Sequence, residues 1–366
     1  MVEVFYILGG ERMIPEFYEN WHIAPKLLIL LAFLVVGIIF LVKFCDLFVG
    51  SAAAIAKKLR IPPMIIGLTV VAMGTSCPEL AVSVSDSISC LINGGNANVA
   101  IGNVVGSNIC NILLVLGFSA IFMPIVIKKS NLKKEFPVLI FVSILLVLFG
   151  IFFGIGTVTG NYAILRWEGI IFIILIILYM TYLVIDAKRH PTEENQEEIE
   201  DMKLWKAILF VIIGAVGIAA GGEFVVFGAK GIALTGADIM NVNHDLAESL
   251  VGLTIVAVGT SLPELVTSVV AARKGQNEIA LGNVIGSNIF NILFVLGIAA
   301  TVNPLTSGGT IVFNLIIMMS VTLLLFALAF TKKLGRKTGI LFLSLYAIYI
   351  TFLILNVFGV VNLNIN

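Results

Sequence analysis

Two acids, Glu79 and Glu264, stand in blocks that read almost alike, GLTVVAMGTSCPEL from Gly67 and GLTIVAVGTSLPEL from Gly252. Each lies inside a long apolar run, where a charged side chain costs about 2.5 to 3.5 kcal/mol on insertion scales. No Lys or Arg in the matched blocks lies deep enough to pair with them, so either the acids stay protonated or a cation compensates them. A pair of neutral acids bonded between helices would meet the energetic demand but leaves the duplication without a reason. Pro78 and Pro263 directly precede the acids. A proline removes a backbone donor and crowds the carbonyl four residues earlier. Freed carbonyls are therefore expected near Gly74 and Thr75 in one copy and near Gly259 and Thr260 in the other, beside each carboxylate.

More oxygen ligands follow from helical spacing. Thr75, Glu79 and Ser83 step by four and share a face, with Ser76 beside them. A second pair of blocks, AIGNVVGSNICNILLVLG from Ala100 and ALGNVIGSNIFNILFVLG from Ala280, carries the stripes Asn103, Ser107, Asn111 and Asn283, Ser287, Asn291. In these blocks Gly102 with Gly106, and Gly282 with Gly286, form small-xxx-small packing patterns, so the glycines are read as structural and the nearby Ser and Asn side chains as ligands. Carboxylate, amide, hydroxyl and carbonyl oxygens suit hard cations such as Ca2+ or Na+ and disfavour zinc or copper. His22, His190 and His244 fall in tails or loops, and Cys45, Cys77, Cys90 and Cys110 have no metal-ligand spacing and read as small core residues. Two carboxylates balance one divalent cation, and the same oxygens can hold monovalent ones. A site that takes either load in turn is an antiporter. Asp46, Glu223 and Asp86 are weaker candidates, read as solvated or helix-end acids that could line an access path.

The elements that position these residues must lie in a bilayer. Of 366 residues, 59% are hydrophobic and 12% charged, against about a quarter charged in an ordinary soluble domain. Apolar runs of spanning length lie at 26–48, 62–91, 98–124, 136–157, 166–186, 205–230, 247–272, 278–300, 310–331 and 338–358. The fold class is thus an all-α polytopic membrane protein with ten transmembrane helices. Basic residues gather in alternate loops, among them Lys57, Lys58, Lys128, Lys134, Lys188, Arg189, Arg273, Lys274, Lys332 and Arg336. By the excess of Lys and Arg on the cytoplasmic side, both termini face outside. The polar stretch DAKRHPTEENQEEIED from Asp186 divides the chain into halves of five spans. An odd number of spans per half turns the copies over, giving two inverted five-helix repeats, the plan in which transporters bind substrate near the midplane. The expected organisation is an external tail over 1–25, a first repeat over 26–186, a cytoplasmic linker over 187–204, a second repeat over 205–358 and an external tail over 359–366. The first 25 residues lack the basic start and cleavage site of a signal peptide. Basic and acidic residues balance at 22 each, which leaves no global field for nucleic acid. The partners are the lipid bilayer and inorganic cations in a cell (cytoplasmic) membrane, with no cofactor and no enzymatic role.

The doubled GTSxPEL and GNxxGSNIxN blocks resemble the paired repeats of the Ca2+/cation antiporter superfamily, in particular the Na+/Ca2+ exchanger branch in its compact prokaryotic form. The resemblance covers both halves and implies ten helices in two inverted halves. It implies cation ligands at Thr75, Ser76, Glu79, Ser107 and Asn111 in the first repeat and at Thr260, Ser261, Glu264, Ser287 and Asn291 in the second. It further implies that Ca2+ rests on Glu79, Glu264 and the Thr75 and Thr260 carbonyls. Na+ would use Ser76, Ser107, Ser261 and Ser287 as well, while the first pair of helices slides against the remaining core. Asn291 stands where several microbial members and the K+-dependent branch carry aspartate, which argues against K+ dependence and proton coupling there. The long regulatory insert of animal exchangers is absent between the halves. The expected activity is exchange of several Na+ for one Ca2+. A Ca2+/H+ antiporter is the nearest alternative, and a cation channel a more distant one, since channels usually assemble their acid rings from several subunits.

Overall fold

A computed structural model describes residues 23–93, 98–153, 162–189, 202–239, 257–307, 310–357 and 360–361. The described chain is helical apart from two short ribbons, as apolar runs must be where no water can satisfy a free backbone group. Helix α1 is Ile23–Leu59. It is followed by α2, Pro63–Ile66, which passes through a π-helical turn, Gly67–Val71, into α3, Ala72–Thr75, and then by α4, Cys77–Asn93. Helix α5, Asn98–Cys110, runs through a second π-turn, Asn111–Val115, into α6, Leu116–Phe122. Strand β1 (Ile125–Val126), α7 (Lys129–Lys133), α8 (Glu135–Val147), β2 (Tyr162–Ile164) and α9 (Arg166–Arg189) complete the first half.

The second half repeats this order. Helix α10 is Leu204–Ile239, and α11, Ala257–Thr260, precedes α12, Leu262–Arg273. Helix α13, Asn277–Phe290, runs through a π-turn, Asn291–Val295, into α14, Leu296–Val302. Then come β3 (Leu305–Ser307), α15 (Thr310–Ala329), β4 (Lys333–Leu334) and α16 (Arg336–Val357). The ribbons tie the halves together: Ile125 pairs with Leu334 and Val126 with Lys333, while Tyr162 to Ile164 pair with Ser307 to Leu305. Neither ribbon is expected from the sequence, whose loops there are too short for a strand pattern.

Among the described residues eight helices are long and apolar enough to cross a membrane, and nine if Pro63–Thr75 and Cys77–Asn93 form one bent span. The expected seventh span, 247–272, begins outside the described residues. Two helices outrun the apolar stretches that announce them. The first, expected over 26–48, continues to Leu59, and the sixth, expected over 205–230, continues to Ile239. Their extensions are rich in small residues, and Ser51 to Ala56 are buried against neighbouring helices rather than bathed in lipid.

These two helices pack along each other closely enough to touch backbone to backbone. A Cβ at Gly37 would lie 2.7 Å from the Val225 nitrogen and 2.8 Å from the Gly221 carbonyl oxygen. At 37 residues, α1 is about 55 Å long, well beyond the roughly 30 Å of a hydrocarbon core, so it crosses with tilt or projects from the bilayer. The main core gathers α5, α6, α8, α9 and α13 to α16 around residues such as Val104, Phe136, Phe172, Ile289, Met318 and Phe342. A second cluster, with Cys45, Phe48, Ala52, Val71, Ala271 and Ile279, seats α1 on this body. The π-turn after α2 lies against α13, where a Cβ at Gly282 would meet the Met64 carbonyl oxygen at 2.7 Å and one at Gly286 the Leu68 Cα at 2.7 Å. The structural reading of these two glycines is thereby explained, whereas Gly102 and Gly106 have no described neighbour within 4 Å of such a Cβ.

Candidate functional site

The two glutamates are set by a break in the helix, the same in both copies. Helix α3 ends at Thr75, Ser76 departs from helical geometry (φ −86°, ψ 9°), and the axis turns by 49° into α4. In the second half α11 ends at Thr260, Ser261 takes φ −90° and ψ 3°, and α12 begins at Leu262. Pro78 and Pro263 sit in the first turn of the new helix, where a missing N–H breaks no intrahelical bond. The prolines therefore start helices rather than kink continuous ones. Glu79 and Glu264 fall in the same first turns, near the positive end of a helix dipole. The break corrects one expectation: Thr75, Glu79 and Ser83 do not share a face of one helix, because Thr75 belongs to the segment before the turn.

Glu79 and Glu264 have no solvent exposure. Across the halves, the Ser76 hydroxyl donates to Glu264 Oε1 at 2.9 Å, with Thr75 and Ser287 also beside that carboxylate. Ser107 lies beside Glu79. Yet Glu79 Oε1 and Oε2 and Glu264 Oε2 are buried without a hydrogen-bond partner. An unmet buried polar group costs about 1–3 kcal/mol and a charged one more, so three such oxygens at one place mark a site that wants a cation or protons.

Amides frame the carboxylates. The Thr75 hydroxyl donates to Asn283 Oδ1 at 3.1 Å, and Asn283 Nδ2 donates to Ser268 Oγ at 2.9 Å and to the Glu264 carbonyl at 3.4 Å. Asn103 repeats part of this around Glu79, donating to Ser83 Oγ at 3.1 Å and to the Glu79 carbonyl at 3.3 Å. Asn111 and Asn291, at the first positions of matching π-turns, are fully buried, and each leaves Oδ1 without a partner. π-turns inside α-helices recur at functional sites. Ser261 is buried beside Cys110, and Thr260, half-buried, closes α11. Among the described residues no group of three or more His, Cys, Asp or Glu gathers.

The weaker acids lie elsewhere. Asp46 pairs with Lys274 at 3.0 Å, and Asp86 accepts the Ala100 N–H at 3.2 Å in the first turn of α5. Of the cysteines, Cys45 and Cys110 are buried as expected of core residues, but Cys77, at the break, is exposed.

Compared with known proteins, the chain matches the family described as sodium/calcium exchanger protein over residues 29–185 and 206–355. The chain belongs to the sodium/calcium exchanger family. It is 31% identical over 353 residues to the sodium/calcium exchanger MaX1 of Methanosarcina acetivorans, a match spanning 87% of this chain and 97% of that protein. A membrane protein of Methanocaldococcus jannaschii is 37% identical over 319 residues, 87% of this chain and 96% of that one. A solved structure of the sodium-calcium exchanger NCX_Mj, soaked with 10 mM Na+ and zero Ca2+, superposes with a TM-score of 0.73 at 32% identity, covering 89% of this chain and 99% of the other. The chain is thus a multi-pass membrane protein of a cation antiporter family.

Within this exchanger fold two residues escape a reading based on four-residue stripes. Asn108 and Asn288 are buried, each one step from a candidate ligand serine, and each accepts the amide of the opposite half. The duplicated GSNIxN block holds the signal, since its first asparagine recurs as faithfully as its second. Two further buried acids, Glu135 and Glu168, carried no pattern at all, and Glu168 accepts the Leu165 N–H at 2.7 Å at the start of α9.

Proposed function

We propose that this family member exchanges several Na+ for one Ca2+ by alternating access at a midplane site built on Glu79 and Glu264. The observation that carries the reading is the cluster of three buried carboxylate oxygens without partners, ringed by hydroxyl and amide oxygens at two matching helix breaks. Thr75, Ser76, Glu79, Ser107, Asn111, Thr260, Ser261, Glu264, Ser287 and Asn291 are the ligands. The two glutamates supply the charge that balances Ca2+. Asn111 and Asn291 supply the unpartnered carbonyls at the ends of the cluster, and the serines add the hydroxyls that spread the site over several Na+.

The same proposal takes the chain as ten transmembrane helices in two inverted repeats, 26–186 and 205–358, joined by a cytoplasmic linker over 187–204. The tails over 1–25 and 359–366 then lie outside. Helices α1 and α10 act as the sliding pair. Their glycine-lined contact makes them a unit, and α1 touches the rest of the body through Cys45 with Thr267 at 3.2 Å and Asp46 with Lys274.

The test is 45Ca2+ uptake into liposomes loaded with Na+ and diluted into sodium-free buffer with a proton ionophore. Uptake that needs internal Na+ and vanishes in Glu79→Gln and Glu264→Gln is the expected result. Uptake driven by a pH gradient would replace Na+ with protons, and uptake without any counter-ion would mean a channel.

A further inference from the structure

The ends of the carboxylate cluster are held by a reciprocal crossing of amides. Asn111 Nδ2, in the first half, donates to Asn288 Oδ1 in the second at 3.2 Å. Asn291 Nδ2, in the second half, donates to Asn108 Oδ1 in the first at 3.2 Å. Asn108 Nδ2 closes the crossing by donating to the Asn288 backbone carbonyl at 3.3 Å. Asn111, Asn288, Asn108 and Asn291 are each at most 1% exposed.

An asparagine side chain has two nearly equivalent settings about its last torsion, one presenting oxygen and the other nitrogen. For a cation site the difference is decisive, since the oxygen attracts the ion and the amide hydrogens repel it. In both copies the nitrogen is engaged by the other half, and the oxygen is the atom left buried and free. An Asn in this pocket without its acceptor would be drawn to turn its nitrogen toward the two glutamates, which would form an amide–carboxylate hydrogen bond in place of the cation contact.

We propose that Asn108 and Asn288 are positioning residues that lock the amides of Asn291 and Asn111, so that both side-chain carbonyls face the transported ion. This rests on the reading of Asn111 and Asn291 as ligands. Each lock is supplied by the opposite half, so the orientation of both ligand amides is set where the two repeats meet, away from the sliding α1 and α10.

The test is a double-mutant cycle in the full chain, reconstituted in liposomes, with Asn288→Leu, Asn111→Ala and the pair, mirrored by Asn108→Leu with Asn291→Ala. The readouts are the external Ca2+ giving half-maximal Na+-driven 45Ca2+ uptake and the melting temperature in cation-free detergent. Losing the acceptor of a buried amide is expected to raise the half-saturating Ca2+ about tenfold. In the Asn111→Ala background Asn288→Leu adds less than about twofold, because a residue acting only through another adds nothing once that one is gone. Asn288→Thr leaves a neutral hydroxyl oxygen as acceptor and buries no new charge, and since Asn288 Nδ2 has no partner to lose its half-saturating Ca2+ is expected to stay nearer the parent than that of Asn288→Leu. It separates the loss of the acceptor from a failure to fold. Independent, multiplying effects of Asn288→Leu and Asn111→Ala would overturn the lock. If Asn111→Ala leaves half-saturation unchanged while Asn288→Leu raises it, the ligand reading of Asn111 fails instead.

Discussion

Replacing Glu79 by Gln should uncouple what Ca2+ does to the protein from what holds the protein together. Both Glu79 oxygens are buried without a partner, so in the cation-free protein the carboxylate contributes no bond that Gln would lose. Ca2+ at a hundred times its dissociation constant stabilises the folded state by about 2.7 kcal/mol. Truncating one partner of a buried charge pair costs about 2–5 kcal/mol, and about 2.7 kcal/mol, within that range, weakens binding about a hundredfold. At the same Ca2+ concentration the site is then only half filled, and stabilisation falls to about 0.4 kcal/mol. Taking about 2 °C per kcal/mol for a chain of this size, a Ca2+-induced rise of about 5 °C shrinks to about 1 °C. Melting curves in detergent with and without Ca2+ read this directly. The cation-free melting temperature should hold at or above the parent value. A variant that keeps the full Ca2+ shift would show that Glu79 does not touch the cargo. A cation-free melting temperature several degrees lower would show that its carboxylate is an ordinary structural partner.

Four other substitutions probe three separate links. Ser76→Ala removes the hydroxyl that donates to Glu264 Oε1, and the stranded oxygen should cost about 1–3 kcal/mol, read as a lower cation-free melting temperature together with a higher half-saturating Na+. Gly286→Val drives a Cβ to 2.7 Å from the Leu68 Cα and 2.8 Å from the Ala72 Cβ. Such overpacking costs about 1–3 kcal/mol or more and should abolish uptake, whereas Gly102→Ala, with open space among the described residues, should be tolerated in the same melting assay. Asp46→Asn breaks a half-exposed ion pair worth about 0–1 kcal/mol, so stability should barely change. The buried Cys45 beside it should react up to about fivefold faster with a membrane-impermeant thiol reagent, measured with the other three cysteines replaced by alanine.

How far the sequence reached depended on what each feature costs locally. The membrane class was plain because apolar runs of about 20 residues have no other use in water. The helix breaks were announced by Pro78 and Pro263, yet their form was not. A proline preceded by Gly-Thr-Ser can kink a helix or begin one, and the choice at Ser76 and Ser261 is made by packing against the opposite half. The length of α1 was underread because its end buries alanines against neighbouring helices, a contact with no hydropathy signal of its own, and that of α10 because its small-residue end continues the helix past the apolar run. The π-turns at Asn111 and Asn291 and the ribbons β1–β4 and β2–β3 have no local signature, since each is a response to a neighbour far along the chain.

The supports of the site show why the duplicated blocks must meet to mean anything. Ser76 of the first half bonds Glu264 of the second, Thr75 bonds Asn283, and the amides of 111 and 291 are each held from across the divide. Within one half, Asn103 or Asn283 brackets its own glutamate only through the backbone carbonyl and a serine of the same helix, which fixes where the helix lies but leaves the carboxylate unattended. The Ser76 bond to Glu264 Oε1 and the bonds that hold both buried amides are therefore made across the interface, while Ser287 attends Glu264 from its own repeat. None of these bonds involves α1 or α10, so in the proposed motion the orientation of the ligands is kept by the body of the protein while the sliding pair changes access to them.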